Sequence, residues 1–486
     1  MTVPARSTTP PPDGAVEWSL ADQAFSRASG ARLIRGNRVR LLRDAQENYP
    51  AWLEAIAAAE RCIHFESYIL RDDASGRQFA EALIAKAAQG VPVRLLYDWI
   101  GAVGKTSRSY WAELRRAGIE VRAFNPPHLM SPLGWVRRDH RKSLIVDGQV
   151  GFVTGLCVGD AWVGDPASGT APWRDTGIEV RGPAVADIGR AFATVWALEG
   201  PPLPAAELAD PGELTEQGSV ALRIVATEPA SSGLLRVDGL VAAAARRTRW
   251  ISDAYFAGIP SYVQALRAAA LDGVDVRLLV PGGTDIPLLR PISRAGYRPL
   301  LEAGVRVFEW NGPMLHAKTA VADGWWARVG SSNLNLASWV GNYELDALIE
   351  DAEFAGIMEA QYVADLENAT ELTLRRERRR WSRHRSRGPM RGHLRGTGSA
   401  GRAAAGALRL GNTMTAAVAN RRVLAPTEAR IVAVTAVVLL LVAGATAWWP
   451  MLVAWPIAAV LAWLGVLLLL RAGRLYREQR RRGRPG

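Results

Sequence analysis

The chain has 486 residues, 49% of them hydrophobic, and carries a net charge of +12 at pH 7. This length exceeds a single typical domain and fits a duplicated α/β unit of about 170 residues per copy. The positive charge requires an acidic partner, and nucleic acid and anionic lipid are both candidates. The two cysteines, Cys62 and Cys157, lie in apolar runs that predict reduced core residues rather than a disulfide framework.

The N-terminal segment differs in composition from the rest of the chain. Residues 1–14 are rich in Pro and Thr and contain no apolar run, so they predict a disordered leader, which we take to extend over residues 1–30. A secretory signal peptide needs an apolar segment, and this segment has none.

Beyond residue 31, apolar residues recur with the periods of strands and helices in alternation. This order predicts a sheet covered by helices on both faces. The predicted elements are a strand region at 32–43, a helix around Tyr49, Trp52 and Ile56, strand 62–70, helix 76–89, strand 92–98, helix 107–117 and strand 120–124. A loop over 125–139, rich in Pro and Gly, leads to the first motif.

Two motifs of the same form carry the candidate chemistry. His140 and Lys142 precede Asp147, and His316 and Lys318 precede Asp323 with the same gap. Side chains alternate along a strand, so each histidine and its lysine share a face, whereas each aspartate lies seven positions after its histidine and off that register. A lysine cation beside a titratable imidazole suits a phosphate substrate.

The segments around the motifs repeat as well. Residues 90–96 correspond to 273–279, and residues 117–121 correspond to 303–307. We therefore interpret the chain as an internal duplication, in which a pseudo-twofold axis brings the two motifs into one site.

With these residues the sequence resembles the phospholipase D superfamily over roughly residues 30–370, and is similar to bacterial cardiolipin synthases in segments 140–148, 173–183, 314–316 and 342–346. The resemblance implies an α/β fold of two tandem, pseudo-symmetric α/β/α sandwich halves, at 31–215 and 216–370, forming one core. It also implies that the two motifs share one active site.

The resemblance and the residue types together define a candidate site. We predict a catalytic set of His140, Lys142, Asp147, His316, Lys318 and Asp323, in which the two aspartates are structural. Lys142, Lys318, Ser331 and Asn333 are predicted to bind phosphate, and Asp175 and Glu344 to orient the histidines. No cluster of residues has metal-ligand spacing, so no metal and no cofactor is expected.

Three further features qualify this set. The first copy has Thr154, Gly155 and Cys157 where the second has Gly330, Ser331 and Asn333, so we expect it to contribute less to phosphate binding. Glu66 and Asp253 occupy matching positions in the two halves; such a charge lines a cleft or is solvated equally often, and we leave both out of the site. Tyr68 and Tyr255 are interpreted as core aromatics.

The C-terminal third predicts a membrane attachment. Segment 371–429 is rich in arginine and predicts a basic linker on anionic headgroups. Two uncharged stretches within 430–471 are each long enough to span a bilayer, and arginines flank both ends, so we predict a transmembrane hairpin followed by a basic tail at 472–486. The positive-inside rule then predicts a multi-pass protein of the cytoplasmic membrane with a cytoplasmic catalytic domain.

The favoured function is a membrane-bound phosphatidyltransferase of cardiolipin synthase type, acting on phosphatidylglycerol or phosphatidylethanolamine through a phosphohistidine, with His140 as nucleophile by resemblance. The alternatives are a phospholipase D or other phosphodiesterase, including a nuclease, that uses water as acceptor, and a lipid-binding scaffold without turnover. The expected partners are the phospholipid substrate and an anionic membrane rather than nucleic acid. The sequence does not set the oligomeric state.

Overall fold

The structure is a computed structural model that describes residues 15–127, 137–165, 167–286 and 289–374, together with positions 444, 455, 462 and 463. The strands are β1 (Ile34–Arg43), β2 (Ile63–Ser67), β3 (Val93–Asp98), β4 (Glu120–Phe124), β5 (Lys142–Val146), β6 (Val150–Thr154), β7 (Thr176–Arg181), β8 (Val220–Thr227), β9 (Thr248–Ser252), β10 (Asp275–Pro281), β11 (Arg306–Trp310), β12 (Thr319–Ala322), β13 (Trp326–Gly330), β14 (Glu344–Glu350) and β15 (Ala369–Leu372).

The helices are α1 (Ala15–Ser29), α2 (Asp44–Ala58), α3 (Ala74–Ala88), α4 (Trp99–Ala102), α5 (Arg108–Arg116), α6 (Asp160–Val163), α7 (Val185–Trp196), α8 (Gly233–Ala244), α9 (Pro260–Leu271), α10 (Leu289–Glu302) and α11 (Ala352–Glu367). Within residues 31–124 the predicted elements correspond to β1, α2, β2, α3, β3, α5 and β4.

The strands of the described region form one continuous sheet in the order β15-β11-β10-β9-β12-β13-β14-β8-β1-β7-β6-β5-β2-β3-β4. The order from β8 outward to β11 repeats the order from β1 outward to β4, with the antiparallel pair β1 and β8 at the centre. The mixed α/β fold and its internal repeat therefore agree with the duplicated sequence.

Strand direction places both motifs at one edge of each half. β2, β3 and β4 run parallel, and β5 runs antiparallel to β2. Consequently Lys142, the first residue of β5, pairs with Ser67, the last residue of β2. In the second half Thr319 pairs with Ser252 in the same way. The ends of parallel strands are where α/β proteins commonly build their sites.

A buried apolar cluster joins the two halves. It contains Val153 and Ile178 from the first half, and Val329 and Leu345 from the second. Each fully buried side chain of this size contributes about 1.5–3 kcal/mol. Because the cluster draws on both halves, it fixes the strands that carry the two motifs relative to each other.

The predicted disordered leader is wrong for its second part. Residues 15–29 form α1, in which Phe25 and Ala28 are buried in the apolar cluster of the second half, and Asp22 pairs with Arg223. The apolar residues of this helix are spaced for one face and need a partner surface, which the second half supplies. Residues 1–14 lie outside the described residues.

The predicted linker, transmembrane hairpin and basic tail lie almost entirely outside the described residues. In the part of the chain that the structure does describe, no helix has the length and apolar character needed to cross a membrane.

Candidate active site

Each histidine is held by a carboxylate from the opposite half. His140 Nδ1 lies 2.9 Å from Glu344 Oε2, and His316 Nδ1 lies 2.7 Å from Asp175 Oδ2. Both carboxylates are fully buried. With Nδ1–H donated to a carboxylate, the neutral imidazole leaves its Nε2 lone pair for chemistry.

Main-chain hydrogen bonds set up this crossed arrangement. The His140 amide donates to the Tyr343 carbonyl at 2.9 Å, next to Glu344, and the His316 amide donates to the Arg174 carbonyl at 2.7 Å, next to Asp175. Each motif thus pairs briefly with the segment that precedes the carboxylate of the other half. The histidine and its carboxylate are fixed by the same contact between halves.

The two carboxylates are supported differently. Glu344 accepts hydrogen bonds from Ser331 Oγ at 2.5 Å and Asn342 Nδ2 at 3.2 Å. Ser331 is engaged with this carboxylate, and its predicted role in phosphate binding stays a prediction. Asp175 has Gly155 in place of that serine, and it accepts from Trp162 Nε1 at 3.1 Å. In the first copy, therefore, the Trp162 indole donates to the orienting carboxylate, where in the second copy the Ser331 hydroxyl does so.

Gly155 leaves the space that Asp175 occupies. A Cβ atom at this position would overlap Asp175 Oδ1. We therefore expect Gly155→Ala to displace the carboxylate and lower turnover by about 10–100-fold, as loss of an orienting partner of a functional histidine does. Gly189→Ala is the matched control, because a Cβ atom there meets nothing within 4 Å. The prediction is contradicted if initial rates of the two variants in a vesicle assay are equal.

Both lysines are buried beside their histidines. Lys142 and Lys318 are at most 1% exposed, and each Nζ donates to the carbonyl of its own motif histidine. Lys318 Nζ also lies 2.9 Å from His316 Nδ1. Two buried cations without a carboxylate within ion-pair distance in the described chain are suited to an anionic substrate.

The two histidines and two lysines of the motifs influence one another's pKa values across the halves. Burial lowers the pKa of His140 despite the opposing Glu344, and Lys142 and Lys318 lower it further. Burial and Lys318 lower the pKa of His316 to about 4, with Lys142 contributing. Burial lowers the pKa of Lys318 to about 8. Because each histidine responds to the lysine of the other half, the two motifs act as one site.

The orienting carboxylates remain ionised. Burial alone would raise the pKa of Glu344 and of Asp175, but the neighbouring His140 and His316, respectively, outweigh it and the net pKa of each carboxyl is lowered. A charged carboxylate stabilises an imidazolium that forms during a reaction.

Aromatic residues missed as site residues line the histidines. The Tyr68 ring lies 4.8 Å from the His140 ring, and the Tyr255 ring lies 5.9 Å from that of His316. Lys142 Nζ is 5.0 Å from the Tyr68 ring centre. Tyr68 also packs against the apolar cluster of the first half, so its interpretation as a core aromatic holds beside its contact with His140. The occurrence of the two tyrosines at matching positions in the two copies was the sequence signal that could have placed them near the histidines.

Glu66 and Asp253, which were left out of the predicted site, are both fully buried. Glu66 accepts from Ser143 Oγ at 2.8 Å, next to Lys142. Asp253 accepts from the amides of Tyr255 and Leu334, and burial raises its pKa to about 7. These carboxylates support the segments that carry site residues.

Asn333 lies in the loop after β13. It is 4% exposed, and its amide oxygen is buried without a hydrogen-bond partner in the described structure. Its predicted role in phosphate binding stays a prediction.

Asp147 and Asp323 lie at the far ends of their strands. Asp147 accepts from the amides of Glu60, Arg61 and Cys62, at 2.7–2.9 Å. Asp323 accepts in the same way from Arg246, Arg247 and Thr248. Their place in the catalytic set is therefore structural, as their register indicated.

We expect Asp147→Ala to lower the free energy of unfolding by about 2–4 kcal/mol, because three amides lose a charged acceptor. Asp147 also has φ of 56°, which alanine disfavours. Activity per folded molecule should persist. Thermal unfolding beside Asp272→Ala, an exposed control, checks this, and equal midpoints for the two variants would contradict it.

Comparison with known proteins agrees with this geometry. The family model described as "Cardiolipin synthase, PLD-like domain" matches residues 52–158 and 241–366. The chain is 37% identical over 356 residues to cardiolipin synthase A of Pseudomonas aeruginosa, covering 72% of this chain and 71% of that protein. It is 35% identical over 342 residues to cardiolipin synthase of Alkalihalophilus pseudofirmus, covering 69% and 67%.

Among solved structures, phosphatidylserine synthase of Haemophilus influenzae superposes with a TM-score of 0.56 at 15% identity, covering 73% of this chain and 92% of that one. At this identity the likeness concerns the fold. The sequence matches, together with the doubled motif, lead to one conclusion: the chain belongs to the cardiolipin synthase family of phospholipase D-like proteins.

Proposed function

We propose that the protein is a membrane-bound phosphatidyltransferase of cardiolipin synthase type, which joins a phosphatidyl group to phosphatidylglycerol. The observation that carries the proposal is the pair of histidines, each oriented by a carboxylate of the other half and each under the influence of both buried lysines. The curated relatives named cardiolipin synthase support the same reaction.

In the first step of the proposed mechanism, His140 Nε2 attacks the phosphorus of the donor phosphodiester. A phosphorus–nitrogen bond forms, the bond to the leaving alcohol oxygen breaks, and His316 as imidazolium gives that oxygen its proton. His140 is placed as nucleophile by analogy with the superfamily. Lys142 and Lys318 stabilise the charge on the non-bridging oxygens.

In the second step, neutral His316 removes the proton of the acceptor hydroxyl, whose oxygen attacks the phosphohistidine. The phosphorus–nitrogen bond breaks and the new ester forms, so both histidines regain their starting states. The low pKa of His316 in the empty site reflects burial and the adjacent Lys318. A bound phosphodiester brings negative charge to both, which favours the imidazolium needed in the first step.

We further propose that segments 371–429, 430–471 and 472–486 attach the enzyme to the cytoplasmic face of the membrane, with the catalytic domain in the cytoplasm. The charge pattern of the sequence supports this. Removal of residues 430–486 should abolish co-sedimentation with phosphatidylglycerol vesicles in high salt, where electrostatic attraction is screened.

The function is tested by reconstituting the full chain into vesicles of labelled phosphatidylglycerol and identifying lipid products by mass spectrometry. The proposal expects cardiolipin and free glycerol. Phosphatidic acid as sole product would assign hydrolysis instead, and cleavage of added nucleic acid without lipid turnover would assign a nuclease.

A further inference from the structure

Cardiolipin formation poses a recognition problem that hydrolysis does not. The acceptor, phosphatidylglycerol, carries a phosphodiester of its own, a few atoms from the hydroxyl that attacks. The two motifs supply the cations for the donor phosphate. If the proposed function holds, a second anionic group must be accommodated next to them.

The first half places two cations beside the site. The Lys105 carbonyl accepts from the Asp72 amide at 3.1 Å, and the Arg71 amide donates to the Val158 carbonyl at 3.0 Å. Tyr68, whose ring contacts His140, precedes Arg71 in the same segment. In this segment Leu70 forms a β-bridge with Val158, the residue after Cys157. Arg71 therefore lies beside the segment 157–159, with its side chain against Gly159, and Lys105 lies next to it with an exposed side chain.

Neither cation forms an ion pair among the described residues. Arg71 Nε is buried without a hydrogen-bond partner in the described structure. The groups that act electrostatically on the Lys105 amine are Arg71, Cys157 and Asp285. Asp285 already accepts the hydroxyl of Tyr255, and Asp160, the acidic neighbour of Arg71, is held by Ser75.

Two adjacent like charges repel each other, and an unsatisfied buried donor is costly. Such a pair is stabilised when an anion binds between them. Cys157, which stands where the second copy has Asn333, lies near Lys105 and has no side-chain amide to donate to an anion.

Lysine is rare in this chain, which helps to interpret Lys105. Only four of the 59 Lys and Arg residues are lysines: Lys86, Lys105, Lys142 and Lys318. Two belong to the motifs. Lys86 lies on α3, where its amine donates to the Ala59 carbonyl and to Gln89. Lys105 is the remaining one, and it has no such partner in the described structure.

We propose that Arg71 and Lys105 form the subsite for the phosphodiester of the acceptor lipid, and so direct transfer to phosphatidylglycerol over acceptors that lack a phosphate. The pair acts on acceptor choice, after the donor has bound to the lysines of the motifs.

The test uses two acceptors with the same hydroxyl chemistry in one vessel. Full-length enzyme in phosphatidylglycerol vesicles is supplied with deuterated glycerol. Transfer to phosphatidylglycerol gives cardiolipin, whereas transfer to glycerol gives deuterated phosphatidylglycerol. Mass spectrometry of both products yields a ratio that is independent of the amount of folded enzyme.

We expect Lys105→Met to lower the ratio of cardiolipin to deuterated phosphatidylglycerol about tenfold, as expected for loss of a charge-assisted contact. The double variant Arg71→Met, Lys105→Met should lower the ratio further, and Lys86→Met should leave it at the wild-type value. At position 71, methionine keeps the aliphatic length that packs against Gly159.

The opposing results are distinct. An unchanged ratio in Lys105→Met, including a parallel loss of both products, would overturn the subsite, because it would mean an effect on donor binding or on vesicle attachment. Wild-type enzyme that forms neither product would overturn the proposed function itself.

Discussion

His140→Ala and His316→Ala should each lower cardiolipin formation by at least about 10³-fold, because in the proposed mechanism one removes the nucleophile and the other the acid and base. Both side chains sit at the contact between halves, and neither holds the fold together alone, because the shared apolar cluster does so. Combining the two substitutions should add little, as expected for residues that act as a unit.

The measurement is the initial rate in phosphatidylglycerol vesicles, with thermal unfolding to verify the fold. His64→Gln is the matched control: His64 is a buried histidine on β2 with a carboxylate partner, Glu207, 3.2 Å away, and it lies outside the site. It should retain turnover. Substantial turnover in either alanine variant would rule out the two-histidine mechanism.

Exchanging the orienting carboxylates for amides should lower kcat by about 10²-fold and move opposite limbs of its pH profile. Each carboxylate raises the pKa of its histidine against the effect of burial. Removing the charge therefore lowers that pKa, by about 1–2 pH units for a close partner.

The direction follows from the proposed roles. His140 must be neutral to attack, so Glu344→Gln should move the acidic limb to lower pH. His316 must be protonated to release the leaving group, so Asp175→Asn should move the alkaline limb to lower pH. Glu179→Gln, a carboxylate on β7 paired with Arg40, should move neither limb. Shifts of the opposite limbs would assign the nucleophile to His316.

Much of the fold could be predicted from local patterns. The doubled motif and its repeated flanks predicted two equivalent halves, because a duplicated sequence folds into duplicated elements, and the strands β5 and β12 lie directly at the motifs. The off-register positions of Asp147 and Asp323 also predicted their structural role, since a strand alternates its faces.

Other features depended on contacts between distant segments. Asp175 follows His140 in the chain yet orients His316, and no spacing rule could reveal that exchange, which arises where each motif pairs with the other half. The burial of α1 likewise depends on a surface of the second half. The contacts of Tyr68 and Tyr255 with the histidines could not be predicted either, because an aromatic residue after a strand is equally typical of a core.

The covalent intermediate is the centre of the mechanism, and it is tested most directly with a phosphatidyl donor whose leaving group is p-nitrophenol. This phenolate departs without protonation at neutral pH, so the first step no longer needs His316. The proposed mechanism predicts that His316→Ala releases one equivalent of p-nitrophenolate in a burst and then stalls, with the phosphatidyl group on His140. His140→Ala should give no burst. A burst in His140→Ala, or none in His316→Ala while the wild type turns over, would contradict a phosphohistidine at His140.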